Sequence, residues 1–173
     1  AAGIHIEESL KNGKDVKLAT AEDINQALKR LNSLNSSKQG KQTDSLKREM
    51  QENMQNNFGV FRRQDLMEKG IKDLANARVE NMYLEDKSVT FNTARVEALE
   101  MQNLFEVAEA TAITANERKE SRGAHARDDY PERDDDNWLK HSIYFSATKS
   151  VSKREVNFKP KTVQAFQPAE RTY

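Results

Sequence analysis

The stretch from Glu120 to Trp138, ESRGAHARDDYPERDDDNW, gathers most of the residue types in this chain that could do chemistry. Ser121, His125 and Asp128 or Asp129 are the parts of a nucleophilic triad: a hydroxyl, a base and an orienting carboxylate. Arg118, Lys119, Arg122 and Arg127 surround His125 with donors suited to a phosphate or carboxylate. Asp134, Asp135 and Asp136 offer hard oxygens to a cation. Spacing counts against each of these. Working triads are assembled in space from separate elements, whereas these residues are near-consecutive. No Gly-x-Ser-x-Gly turn is present to expose the serine. The three histidines, His5, His125 and His141, are far apart and lack ligand spacing, and neither a His-Glu-x-x-His pair nor a calcium-loop pattern occurs. The aspartate run reads as a solvated turn, with Asp136 or Asn137 capping a short helical turn before Trp138. Six glycines without a dinucleotide or P-loop signature leave no phosphate cradle of the usual kind. For the basic cluster three readings stay open: cations offsetting the negative end of a preceding helix, an anion site, or a docking surface whose arginine forks reach a neighbouring domain. The first is favoured over the second. Gly123 permits a sharp turn there.

The elements around this stretch are mostly helical. Residues 1–12 carry Ile4, Ile6 and Leu10 and stop at Asn12-Gly13. Thr20 and Asp23 form a capping box with Asp in place of Glu, followed by Ile24, Ala27, Leu28, Leu31 and Leu34 at helical spacing. Asn35 to Gln42 is polar, contains Gly40 and reads as a mobile linker, the alternative being an ordered loop pinned by a missing partner. Thr43 or Asp44 can cap a helix with Leu46, Met50, Met54 and Phe58 on one face. Another begins near Gln64 with Met67, Ile71, Leu74 and Ala75 inward, and Gly70 within it points to close packing. From Asn92 to about Asn116 apolar residues recur almost all round, the mark of a buried helix, about 40 Å long. Together these predict an antiparallel three-helix bundle over residues 44–119. The period then changes to two: 139–146 and 153–159 read as a β-hairpin, with an extended tail from Lys161 to Tyr173. The fold class is mainly α, a spectrin-repeat-like three-helix bundle with a small C-terminal β-hairpin extension. The domains are 1–42, 43–119 and 120–173.

Lys+Arg and Asp+Glu both number 28, so the formal net charge is zero. A nucleic-acid binder needs a basic excess to displace counterions, and a polybasic membrane anchor needs one too. With no cysteine, structural disulfides, thiolate catalysis and cysteine-ligated metals are excluded. No apolar run reaches the ~20 residues of a membrane-spanning helix. A mean hydropathy of −0.93 is polar for a self-sufficient globule, and Ala1 to Leu10 reads as the back half of a helix. Both features fit a chain that starts inside a larger protein.

Glu120 to Arg127, then Asp129-Tyr130-Pro131 and Arg133 to His141, resemble the C-terminal region of the succinate dehydrogenase/fumarate reductase flavoprotein family. Supporting stretches are Met54 to Arg62, Phe91 to Glu97 and Pro168 to Tyr173. The resemblance covers essentially the whole chain. It implies a parent subunit that oxidises succinate to fumarate with covalently held FAD, and that passes electrons to an iron–sulfur subunit and on to quinone at a membrane anchor. The family's flavin-binding and substrate-binding residues precede the matched portion, so none is carried onto this chain. The resemblance implies that this chain alone binds no FAD and has no dehydrogenase activity. Its partners would be the flavin-binding domain of the same subunit and the iron–sulfur subunit, with the membrane anchor reached only indirectly and no nucleic acid involved. Its location would be the cytoplasmic face of a bacterial inner membrane, or the matrix side of the mitochondrial one. Arg122, His125 and Arg127 are then expected to fix the bundle against the flavin domain. The rival readings are a free-standing helical interaction module and a small hydrolase or metal enzyme built on 120–136.

Overall fold

A computed structural model describes residues 2–13, 18–36, 38–77, 82–166 and 169. They fall into two compact units, Ala1–Ser36 and Ser37–Tyr173.

In the first unit, α1 (Ala2–Lys11) stops where expected: Gly13 takes a positive φ of 65° and bonds back to Leu10, the left-handed close that glycine permits. The predicted box at the start of α2 (Ala21–Ser36) is present. Thr20 Oγ1 accepts from the Asp23 backbone N–H, and Asp23 Oδ2 accepts from that of Thr20. Helix α2 runs on through Asn35 and Ser36, so the linker begins later than its composition indicates. Within the second unit that linker is also pinned, because Lys41 pairs with Met82 and its carbonyl accepts from Tyr83.

Three helices make the core of the second unit: α3 (Thr43–Phe58), α4 (Gln64–Asn76) and α5 (Thr93–Glu117), each touching the other two. The buried apolar residues of these helices are Leu46, Met50 and Phe58 of α3, Met67 and Leu74 of α4, and Ala98, Met101, Phe105, Ala108, Ala112 and Ala115 of α5. The close approach predicted at Gly70 is observed. A Cβ there would meet the Phe58 ring and lie 2.8 Å from the Asn57 Cβ. The Gly70 carbonyl accepts from Asn53, which ties α3 to α4.

Four local expectations are corrected. The N-cap position of α3 is Gln42, which makes no side-chain cap bond, and the helix begins at Thr43, so neither Thr43 nor Asp44 serves as the cap. Ala75 is exposed, because the turn holding Leu74 inward turns its neighbour out. Helix α5 buries one face rather than its whole circumference: Val96 is 54% exposed and Val107 63%. Its start is as expected, with Asn92 accepting from the Arg95 N–H at 2.8 Å. Finally, the hairpin is β3 (Lys140–Phe145) with β4 (Ser150–Glu155), paired from Lys140↔Glu155 to Phe145↔Ser150. The second strand therefore lies earlier than 153–159. Burial along β3 also does not follow the alternation: His141 and Phe145 are exposed, while Ile143 and Tyr144 are both half-buried. Phe145 points outward, while Tyr144 donates to Glu109 of α5 at 2.9 Å. Burial, then the Glu109 carboxylate, push the Tyr144 hydroxyl up to about 12.

Between α3 and α4 lies β1 (Phe61–Arg62), paired in parallel with β2 (Ala126–Arg127). This pairing has no signature in the sequence. It attaches the 120–138 stretch to the start of α4.

Candidate functional site

Helix α5 ends with carbonyls that have no further turn to bond them. Arg127, 1% exposed, fills that need. Its Nη1 donates to the carbonyls of Ala115, Asn116 and Arg118 at 3.1–3.3 Å. Nε and Nη2 form a fork on Asp129, both at 2.7 Å, and the Tyr130 ring lies 4.9 Å from the guanidinium. Asp129 also accepts from the backbone N–H of Gln64, the first residue of α4, at 2.9 Å. A cation thus sits at the C-terminal end of one helix and a carboxylate at the N-terminal end of another, each opposing the local dipole. Hydrogen bonding from Arg127 is the main reason the Asp129 carboxyl is held down at about 2.

Glu120 is the second centre. It is fully buried and accepts from Arg118, from Arg122 Nε and Nη2 at 2.9 Å each, and from the Asp134 N–H at 3.0 Å. Burial alone would raise its pKa; the Arg122, Asp134 and Arg118 bonds outweigh that and lower it. Arg118 continues to the carbonyls of Trp138 and Lys140, and both Arg118 and Lys153 lie over the Trp138 ring. The hairpin is thereby bound to the end of α5. Asp134 caps the short α6 (Asp135–Trp138), accepting from Asn137, so the cap is neither Asp136 nor Asn137. Asp135 pairs with Arg122 and Arg133.

His125 is bonded at both nitrogens. Arg62 Nη1 lies 2.7 Å from Nδ1, and the Arg118 carbonyl lies 3.1 Å from Nε2. A guanidinium only donates, so Nδ1 is the acceptor and Nε2 carries the proton. Burial, followed by the repulsion of nearby Arg62, Arg127 and Arg118, lowers its pKa, so the ring is neutral at pH 7. The Ser121 hydroxyl bonds to the Tyr130 carbonyl at 2.9 Å and accepts from the Arg127 N–H at 2.8 Å. Serine and histidine are both committed elsewhere and make no nucleophile–base pair. Among the described residues no group of three or more His, Asp or Glu is placed to share a metal.

The structure therefore brings Arg122, His125 and Arg127 into one bonded cluster together with Glu120, Arg118, Asp129 and Arg62. Sequence reasoning missed Glu120 and Arg62. Glu120 had a local signal, being an acid flanked at two residues on each side by Arg118 and Arg122. Arg62 had none, since only the β1–β2 pairing brings it near. An open groove of about 460 Å³ runs beside the cluster, lined by Phe61, Arg122, Gly123, Ala126, Asp128 and Pro131. These residues do not fit a flavin: the cations that would meet a pyrophosphate already hold carboxylates and carbonyls.

The second unit is a helical core closed by an ionic loop and a hairpin. The E. coli quinol fumarate reductase has a similar arrangement, with a TM-score of 0.74 at 31% identity over 90% of this chain and 28% of that one. Residues 47–173 match the family described as fumarate reductase flavoprotein C-term, and the chain belongs to that family. It is 44% identical to the succinate dehydrogenase flavoprotein subunit of Coxiella burnetii over 173 residues, 99% of this chain and 29% of that protein. The corresponding subunit of Rickettsia bellii is 33% identical, over 100% of this chain and 30% of its own length. The chain spans under a third of the length of these relatives.

Proposed function

We propose that this chain is the C-terminal portion of a succinate dehydrogenase flavoprotein subunit, structural and docking in role. In the whole subunit succinate is oxidised to fumarate with FAD as hydride acceptor, and electrons continue to an iron–sulfur subunit and to quinone. The membrane anchor is met only indirectly. The complex lies on the cytoplasmic face of a bacterial inner membrane, or on the matrix side in mitochondria. Residues 1–42 are the tail of the flavin domain and a connecting helix, 43–119 an antiparallel three-helix bundle, and 120–173 the loop, hairpin and tail. Mutual contact of α3, α4 and α5 supports the bundle reading.

The observation that carries the proposal is the 44% identity over 99% of the chain to 29% of a succinate dehydrogenase flavoprotein subunit, together with the match of residues 47–173 to the family's C-terminal model. The docking role of Arg122, His125 and Arg127 is supported by their geometry in a specific way. They shape the loop from inside, and the groove beside it, with Phe61 71% exposed, is left for the flavin domain to meet. In the full-length subunit, Arg122→Ala and, separately, Phe61→Ser should lower bound flavin per subunit and weaken assembly with the iron–sulfur subunit, with KM for succinate unchanged. Phe61→Ser removes no internal polar bond, so its flavin loss reports docking rather than local unfolding. Full flavin content in both variants would overturn the docking role.

A further inference from the structure

From Leu139 to Lys161 the chain carries six Lys or Arg against one acid, in a protein whose formal net charge is zero. Three of these cations are occupied. Lys149 pairs with Glu109, Lys140 pairs with Glu155, and Lys153 lies over Trp138. Arg154, Lys159 and Lys161 are exposed, and among the described residues no carboxylate pairs with them. Strand β4, which carries Lys153 and Arg154, is paired on one side by β3 and by no other described strand. Its second edge is a row of backbone N–H and C=O groups open to another strand. Positive charge on such an edge hinders pairing with a second copy of itself, because each β4 would bring Lys153 and Arg154 against their equivalents. The same charge favours an edge partner of opposite sign.

We propose that β4 is a docking edge for an extended acidic segment of a partner protein, added as a third strand and held by Arg154, Lys159 and Lys161. Main-chain bonds supply the pairing and the cations supply the selection. This goes beyond the role proposed above and does not rest on it.

The test uses the 173-residue chain and a fluorescent peptide of alternating Glu and Val about eight residues long, a typical strand length. Anisotropy should saturate with the acidic peptide at low salt and not with an alternating Lys–Val peptide. Hydrogen exchange should slow at the amides of 151–155. The double variant Arg154→Glu/Lys159→Glu alters two exposed side chains and should keep its far-ultraviolet circular dichroism. It should weaken binding about tenfold, as reversal of two surface pairs implies. Any of four results overturns the proposal: no saturable binding, unchanged affinity in the double variant, protection away from β4, or binding of phosphatidylglycerol vesicles in place of the peptide. The last would assign the basic hairpin to a lipid surface.

Discussion

Replacing Arg127 by Met tests how the loop is held. The substitution keeps the length and apolar stem of the side chain and removes its five donors. Three carbonyls at the end of α5 lose their common partner, and Asp129 loses the fork that is the largest cause of its shift. Breaking a buried ion pair from one side costs about 3–5 kcal/mol. Asp129 is 29% exposed on its side chain, so water can replace part of what it loses. The lower end, about 3 kcal/mol, is therefore expected, equivalent to a fall of roughly 10 °C in Tm for a unit of this size. Urea unfolding followed by circular dichroism gives the value.

A pH series then separates the ion pair from the carbonyl cap. The folded Asp129 carboxyl sits at about 2, below its ordinary value of 3.8. A depressed carboxylate stabilises the fold above its unfolded pKa and loses that contribution as pH falls through the folded one. From the shift, the contribution is on the order of 2 kcal/mol. The gap between wild type and Asp129→Asn should be full at pH 6 and shrink between about pH 4 and pH 2. A loss under about 1 kcal/mol for Arg127→Met, or an Asp129→Asn gap that persists undiminished at pH 2, would refute the assignment.

Two further outcomes are expected. Gly70→Ala, which would stabilise a free helix, should instead cost about 1–3 kcal/mol by overpacking against Phe58 and Asn57; calorimetry would read it as a lowered Tm, and a rise would refute the close approach. His125 is held neutral in the fold with its pKa below the ordinary 6.5, so the unfolded chain takes up the proton first and stability is lost as pH falls from about 7. His125→Gln, which preserves one donor and one acceptor, should flatten stability between pH 7 and pH 5, and a slope equal to wild type would refute the neutral assignment.

The helices were legible because their cues are local. Thr20 and Asp23 cap within one turn, Asn92 caps α5, and the four-residue stripe of Leu46, Met50 and Phe58 is the buried face of α3. Family membership was legible from the combined stretches Glu120 to Arg127 and Asp129 to His141. What was not legible depends on distant partners. The β1–β2 pairing joins two-residue strands too short to show a period. The alternation Leu139, His141, Ile143, Phe145 marks a strand but not which face is covered. That face was decided by Tyr144 donating to Glu109 of α5 and by Arg118, at the end of α5, donating to the Lys140 carbonyl, a preference that apolar patterning does not contain. The basic cluster was seen, but its counter-charge at Glu120 was overlooked, and with it the fact that most of the donors are already used.

The Arg127–Asp129–Gln64 connection has a kinetic consequence. It closes a contact between residues 65 positions apart, across a segment that includes the whole of α4 and α5. Such a contact carries a large loop-closure entropy until the helices between its ends are in place. It should therefore form after the barrier to folding, and its loss should appear in the rate at which the unit opens rather than the rate at which it assembles. The loop that looked like a reaction centre then acts as a latch: it sets how long the folded unit lasts.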